Sequence, residues 1–158
     1  MLNKELKIKV DIHNYDFFSQ TKLTETEKRQ FILDHSQELD KQLTPEWRCQ
    51  FFLKKLSKYY KLNIVTARKY NQAASTIEWL DKNDIPYDNI YFNTGDKLDV
   101  CNFLNTQYMI DDSPWVVRKL NKNNVYSLIY NRPYNHMVKE SQYTRRVNNW
   151  QEIYQILV

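Results

Sequence analysis

Four residues with functional side chains follow or open short apolar segments of the chain. Thr66 ends the strand-like part of "KLNIVTAR", Lys97 opens "KLDVCNFL", and Asp111 and Asp112 close "QYMIDD". A hydroxyl with its neighbouring backbone N–H groups can hold an anion. Two adjacent carboxylates repel each other until a divalent cation relieves the repulsion, and Mg²⁺ prefers one or two carboxylates and keeps several waters. These residue types indicate phosphate and metal chemistry.

Each of these residues also has a purely structural explanation. Thr66 can cap the helix that follows it, and an Asp at position 111 or 112 can cap the helix that starts near Pro114. Lys97 can be a solvated surface residue. A cation at a helix N-terminus opposes the helix dipole, which weakly disfavours a structural role for Lys97 and would suit a phosphate ligand.

The elements that must position these residues alternate between strands and helices. We predict strands in "KLNIVTAR", "DNIYF", "QYMIDD" and "VYSLIY". We predict helices in "NQAASTIEWLDKN", "KLDVCNFLN", "PWVVRKLNKN" and "WQEIYQILV". Strands joined by helical crossovers form a parallel sheet covered on both faces, which is the α/β class. In such a sheet ligands bind beyond the carboxyl ends of the strands, where the polar residues lie.

The region before the first predicted strand indicates an additional helical insert. Thr24 and Glu27 have the spacing of a capping box, which predicts a helix from Thr24 onward. Thr44 followed by Pro45 predicts a second helix start, with an N-cap residue and a proline in the first turn.

Composition limits the classes of protein that the chain can belong to. Its 158 residues suit one domain, and 27% charged with 42% apolar residues is typical of a soluble globular protein. The formal charge of +4 is scattered, which suits solvated helix faces better than a nucleic-acid footprint. No apolar run approaches the ~18–20 residues of a membrane span, and lysines interrupt the N-terminal apolar stretches, so neither membrane insertion nor export is expected.

The cysteine and glycine content indicates the cellular setting and excludes one type of phosphate-binding loop. Cys49 and Cys101 lie in separate segments that read as amphipathic helices, which predicts reduced core thiols and a cytoplasmic setting. Gly95 is the only glycine, so a Gly-rich phosphate loop of the Walker or dinucleotide type is excluded. Turns with positive φ must therefore be made mostly by Asn.

The order of the motifs resembles the haloacid-dehalogenase (HAD) superfamily of phosphatases: a Thr at a strand end, then a Lys, then an acidic pair. More narrowly, the chain resembles the bacterial 5'(3')-deoxyribonucleotidase-like group, also described as cytosolic type C nucleotidase-like. The resemblance runs from about Tyr15 to the C-terminus, in the stretches "YKLNIVTAR", "WLDKNDIPYDNIYF", "DKLDVCNFL", "YMIDDSPWVVRKL", "IYNRPYN" and "RVNNWQEIYQIL".

This resemblance implies a fold, a reaction and roles for the four residues. The fold would be a Rossmann-like three-layer α/β/α domain over 1–158, with a cap-like insert at about 16–42. Thr66 would hold the transferring phosphoryl group, Lys97 would neutralise its charge, and Asp111 and Asp112 would help to hold Mg²⁺. These roles suit phosphoryl transfer, in which positioning and charge neutralisation dominate. The implied substrate is a small phosphorylated molecule such as a deoxynucleotide.

The first motif of the superfamily is not intact. It is an Asp-x-Asp in which the first Asp attacks phosphorus and the second acts as general acid and base. This chain has Asp11 followed by His13, and His can also move protons at neutral pH. The preceding "ELKIKV" alternates charged and apolar residues, which suits a half-exposed segment rather than a buried central strand.

The region around Asp11 has two interpretations. "HNYDFFSQTKLTETEKRQF" resembles the family's insert downstream of the first motif, so we expect the true motif to precede Met1, as a wrongly assigned gene start would produce. The alternative is that Leu6–Ile12 fills the central-strand position. A missing central strand would favour a strand-exchanged homodimer.

We therefore expect a HAD-type phosphatase-like protein with weak or absent activity. The alternative is a non-catalytic protein on the same scaffold that binds a nucleotide, a phosphate or another partner. A minor alternative is nucleic-acid binding through "YNRPYNHMVKESQYTRRV", which mixes Tyr with Arg as single-strand binders do. The resemblance instead places this run in a loop before the last helix.

Overall fold

The computed structural model describes residues 21–28, 30–31, 34–35 and 43–158. In these ranges the strands are β1 (Asn63–Val65), β2 (Asn89–Tyr91), β3 (Met109–Asp111), β4 (Ser127–Tyr130) and β5 (Thr144–Val147). The α-helices are α1 (Cys49–Leu56), α2 (Ala73–Lys82), α3 (Lys97–Phe103), α4 (Pro114–Lys122) and α5 (Trp150–Leu157), and the described residues at 25–28, 30–31 and 34–35 are also helical. Two 3₁₀ turns span Tyr70–Gln72 and Pro133–Asn135.

All strand pairs that involve these five strands are parallel. β1 pairs with β2, with Ile64 opposite Ile90. β4 lies between β3 and β5, with Leu128 opposite both Ile110 and Arg145. Among the described strands, β1 and β3 are not paired with each other, so the strands form one group of two and one group of three. The predicted α/β class with a mostly parallel sheet is confirmed.

The layers follow from the alternation of side chains along β4, the central strand of its group. All four of its residues are buried, as expected of a parallel strand covered on both faces. Leu128 and Tyr130 pack in a core cluster with residues of α1 and α5. Ile129 points to the opposite face and packs with a residue of α4. Helices therefore cover both faces of the sheet at β4.

β5 was not predicted from the sequence, because the family resemblance places the run "YNRPYNHMVKESQYTRRV", which contains β5, in a loop. The strand contains two consecutive arginines, so its sequence lacks the apolar pattern that predicts a strand. Thr144 and Val147 are fully buried, whereas Arg145 is exposed and Arg146 is half-buried. A strand with a neighbour on one side can carry charged residues toward solvent, and hydrogen bonds to β4 determine its place.

The start of α1 also differs from the prediction. Residues 43–46 are not helical, and the helix begins at Cys49, with Arg48 as its N-cap residue in the left-handed region (φ 55°). Glu46 forms an ion pair with Arg132 and accepts a hydrogen bond from the Tyr130 hydroxyl at 3.3 Å. These contacts hold the segment before the helix against the end of β4, and this tertiary attachment overrides the local start signal.

Left-handed backbone conformations confirm the role expected of Asn. Asn93, Asn105 and Asn124 have φ between 49° and 61°. Arg48 and Asp84 are the other described residues with positive φ. Gly95 does not have a positive φ, so its backbone conformation does not require a glycine.

Most of the insert predicted at 16–42 lies outside the described residues, as do Leu6–Ile12, and the single-domain assignment stays a prediction. The capping box in the described part is confirmed: the Thr24 N–H donates to Glu27 Oε2 at 2.7 Å, and the Glu27 N–H donates to Thr24 Oγ1 at 3.3 Å. Hydrogen bonds from Thr24 lower the pKa of the Glu27 carboxyl. In the parts of the chain that the structure describes, no helix has the length and apolar character needed to cross a membrane.

Candidate functional site

Lys97 and Asp111 meet at the carboxyl end of the sheet. Lys97 is the first residue of α3, which follows β2, and Asp111 is the last residue of β3. Lys97 Nζ donates to Asp111 Oδ2 at 2.6 Å, with the two side chains 19% and 4% exposed. The Ser113 N–H donates to Asp111 Oδ1 at 2.8 Å. The structure therefore brings two of the four predicted site residues into direct contact.

The burial of this ion pair gives it a fixed geometry. A carboxylate removed from water is costly unless it is paired and hydrogen-bonded, and both oxygens of Asp111 have partners. Ser113 also accepts a hydrogen bond from Val116 N–H at 3.4 Å as the N-cap of α4. The N-cap of α4 is thus Ser113 rather than Asp111 or Asp112, and the Asp111 carboxylate instead binds the Lys97 ammonium.

Asp112 is held by a loop that follows β4. The Tyr134 hydroxyl donates to Asp112 Oδ2. Asn135 is fully buried, and its Nδ2 donates to the Asp112 carbonyl at 2.9 Å and to the Tyr130 carbonyl at 2.8 Å. Both the side chain and the backbone of Asp112 therefore have defined partners.

Arg146 forms hydrogen bonds with the same loop. Its guanidinium donates to Asn135 Oδ1 at 2.8 Å, to the Asn135 carbonyl at 3.0 Å, to the Val138 carbonyl at 2.7 Å and to Asn131 Oδ1 at 2.9 Å. Four fixed acceptors on one planar guanidinium define its position. Arg146 thereby connects β5 to the loop that carries Tyr134.

The sequence reading missed Tyr134, Asn135 and Arg146 as parts of the site. The signal for the first two was present, because "NRPYN" directly follows the strand "VYSLIY". The carboxyl ends of parallel strands meet at one edge, so polar residues after a fourth strand were also candidates. Arg146 had no comparable signal, because its strand was not recognised.

Thr66 follows the carboxyl end of β1, which pairs with β2. Its N–H donates to the Tyr91 carbonyl at 2.9 Å, and its Oγ1 accepts a hydrogen bond from the Arg68 N–H at 3.2 Å. The Thr66 carbonyl accepts hydrogen bonds from the N–H and the hydroxyl of Thr94, at 3.1 and 2.7 Å. Thr66 is thus hydrogen-bonded to the loop that leads from β2 to Lys97.

A cavity of about 90 Å³ lies beside Lys97, between the first turns of α3 and α4. Asp96, the N-cap of α3, and Lys119 of α4 form an ion pair in its lining. The hydrogen bond from Lys119, together with one from the Leu98 N–H, lowers the pKa of the Asp96 carboxyl. Neither Thr66 nor Asp112 lines this cavity, so it adjoins the predicted site without containing it.

The acidic pair supplies two carboxylates for a cation. Within the described ranges, no group of three or more His, Cys, Asp and Glu residues is placed to hold a metal ion. The roles of Asp111 and Asp112 toward a metal therefore stay predictions. Asp11 and His13, the candidates for the first motif, lie outside the described residues.

Comparisons with known proteins cover nearly the whole chain. A family model described as "5' nucleotidase, deoxy (Pyrimidine), cytosolic type C protein" matches residues 7–158. The chain is 25% identical over 159 residues to "Putative nucleotidase YqfW" of Bacillus subtilis (strain 168), and this alignment covers 98% of the chain and 82% of that protein. The range matched by the family model includes all four predicted site residues and the loop that holds Asp112.

Proposed function

Since the chain belongs to the HAD-like family of cytosolic type C 5' deoxynucleotidases, we propose that the carboxyl ends of β1 and β3 bind a deoxynucleoside monophosphate. The family match confirms the resemblance and the HAD-like α/β fold inferred from the sequence. A nucleotide substrate agrees with the family description. The family name supports a cytoplasmic setting, as do two buried free thiols at Cys49 and Cys101.

The contact between Lys97 and Asp111 is the observation that carries this proposal. A partly buried ammonium beside a strand end can neutralise a phosphoryl group, provided that it is held in place. Asp111 holds it at 2.6 Å, and Asp111 is itself fixed by the Ser113 N–H. The Thr66 hydroxyl, at the carboxyl end of β1, would bind a phosphoryl oxygen.

The donor set at this edge fits Mg²⁺. Asp111 and Asp112 supply two carboxylates against the single charge of Lys97, which leaves one net negative charge for a cation. Mg²⁺ is commonly held by one or two carboxylates together with water and substrate phosphate oxygens. When bound, it would neutralise phosphate charge. Asp112 would be its main protein ligand, because Asp111 is nearly buried and engaged by Lys97.

We expect hydrolysis by this chain to be weak or absent. The 158 residues contain no Asp-x-Asp, and the nearest equivalent is Asp11 followed by His13. Phosphomonoester hydrolysis in this superfamily needs a carboxylate nucleophile and a second group that protonates the leaving alkoxide. Without them, the site would bind a nucleotide without turning it over, which is the second candidate function.

An assembly of two chains is part of the same proposal. β1 and β3 each have only one partner among the described strands, and a strand edge can pair with a second chain. A strand-exchanged homodimer would satisfy such edges. Light scattering coupled to size exclusion would show a mass of twice 19.3 kDa, whereas a monomer at all concentrations would contradict this part of the proposal.

The enzyme and the binding protein are separated by one paired experiment. Phosphate release from dTMP, dUMP and an aryl phosphate is measured with Mg²⁺, for the unmodified chain and for Asp11→Asn. We expect release close to background in both proteins. Rapid release that Asp11→Asn abolishes would show that Asp11 is the nucleophile and that the chain is an active phosphatase.

A further inference from the structure

A second cavity lies at the amino ends of the strands, away from the proposed nucleotide site. It has a volume of about 380 Å³ and is lined by the end of α3 and by residues that directly precede β3, β4 and β5. Asp111 and Asp112 follow the opposite, carboxyl end of β3. In a parallel sheet these two edges are different surfaces, so the cavity is separate from the proposed site. Ligand pockets commonly begin at ~300 Å³.

Five of the ten lining residues of this cavity carry carboxamide side chains, and we refer to these as the amide set: Asn102, Asn105, Gln107, Asn124 and Gln142. Each carboxamide both donates and accepts hydrogen bonds. All five side chains are exposed to solvent, and none makes a side-chain hydrogen bond to another residue in the described part of the chain, whereas both ends of the buried Asn135 amide are hydrogen-bonded. The hydrogen-bonding groups of the amide set therefore remain available to a ligand.

Backbone conformation explains only part of this composition. Asn105 and Asn124 have positive φ values of 49° and 61°, where Asn is tolerated better than most residues. Asn102, Gln107 and Gln142 do not have positive φ, and their side chains are exposed to solvent. Together the five side chains place accessible carboxamides around one cavity, where they can bond a polar ligand.

Two further features define the chemistry of that ligand. Tyr126 and Tyr143 line the cavity, and Tyr126 makes an edge-to-face contact with Tyr108, with ring centroids 5.6 Å apart. Aromatic rings beside amides suit a flat ligand with polar edges. Among the described residues, no Lys, Arg, Asp or Glu lines the cavity, so the described lining offers no charged partner for a phosphate.

We propose that this cavity binds an uncharged nucleoside through its base. The amides would bond the edge of the base, and a tyrosine ring would contact its face. This inference goes beyond the proposed function and does not require hydrolysis. A nucleoside is nevertheless the class of molecule that remains when a nucleoside monophosphate loses its phosphate, so a nucleotidase would meet it as product.

The test uses NMR of the intact chain, in which the side-chain NH₂ signals of the amide set report on the cavity directly. Thymidine, deoxyadenosine, thymine, dTMP and methyl glucoside are titrated separately. We expect saturable shifts of the amide-set signals with at least one nucleoside, smaller shifts at equal concentration with dTMP, and none with methyl glucoside. Shifts with thymine alone would confirm that the base carries recognition.

Two variants and one matched control locate the binding. Gln142→Met removes one amide of similar size and should weaken nucleoside binding roughly 2- to 12-fold, the range for one neutral hydrogen bond. Tyr143→Leu removes a ring and should weaken it roughly 5- to 150-fold, the range for base stacking. Gln151→Met changes an exposed glutamine on α5 and should leave it unchanged.

Three results would overturn the inference. The first is the absence of amide-set shifts with every nucleoside up to millimolar concentration, and the second is an unchanged affinity in both cavity variants. The third is a preference for methyl glucoside, which would assign the cavity to carbohydrate. Nucleotide binding at the other edge is read from signals near Thr66 and Lys97, so its failure would be seen separately.

Discussion

Replacement of Lys97 by Met tests the buried ion pair on which the site depends. The variant keeps a side chain of similar length but leaves the Asp111 carboxylate, 4% exposed, without its charged partner. Removing one partner of a buried pair typically costs about 3–5 kcal/mol. Asp111 keeps the Ser113 N–H, so we expect the lower end, about 3 kcal/mol. For a chain of this size that corresponds to a fall in Tm of about 6–12 °C.

A surface ion pair of the same chain provides the matched control. Lys54 pairs with Asp84, but their side chains are 52% and 75% exposed. Such pairs contribute about 0–1 kcal/mol, so Lys54→Met should change stability little. Urea unfolding followed by tryptophan fluorescence at pH 7 gives both free energies of unfolding.

The double variant Lys97→Met with Asp111→Asn completes the test. Because it removes both charges, it should be more stable than Lys97→Met alone, with a coupling energy of about 1–3 kcal/mol. If Lys97→Met costs no more than Lys54→Met, or if the two substitutions are additive, the pair does not hold the site as described.

Three further predictions concern the remaining parts of the site and core. Tyr134→Phe removes the donor that orients Asp112 and should weaken Mg²⁺ binding about 10-fold by calorimetry; unchanged affinity would refute that role. Burial raises the pKa of Cys49 to about 12 and also raises that of Cys101. At pH 8 both thiols are therefore protonated, and iodoacetamide should label them only in denaturant, since the thiolate is the reactive form; rapid labelling of the native chain would contradict this. Asn135→Ala removes the donor to the Asp112 and Tyr130 carbonyls and should lower the free energy of unfolding by at least about 2 kcal/mol in urea. A change below the measurement error would refute the role of Asn135 in holding the loop after β4.

The sequence was sufficient to predict the elements that build the site. Four strands and the helices after them appear where apolar periodicity indicated them, because each strand is short, apolar and bounded by polar residues. The sequence also indicated that Lys97 and Asp111 each come after a predicted parallel strand, where ligand-binding residues are expected, and the structure pairs their side chains.

The features that were missed depend on contacts between distant parts of the chain. β5 contains Arg145 and Arg146, and only its pairing with β4 and the acceptors around Arg146 make those charges compatible with a strand. The start of α1 is displaced because Glu46 is attached to Arg132, 86 residues away. No local pattern encodes either arrangement, so both required the structure.

The most direct test of the proposed function is calorimetric titration of the chain with dTMP in the presence of Mg²⁺, with phosphate release recorded on the same sample. The proposed function predicts saturable binding of dTMP and phosphate release close to background. Binding should be at least about tenfold weaker in Thr66→Val, because this variant lacks the hydroxyl that would form a hydrogen bond with the charged phosphate. Binding that Thr66→Val leaves unchanged, or no binding at all, would contradict the site. Rapid phosphate release would contradict the expected loss of activity.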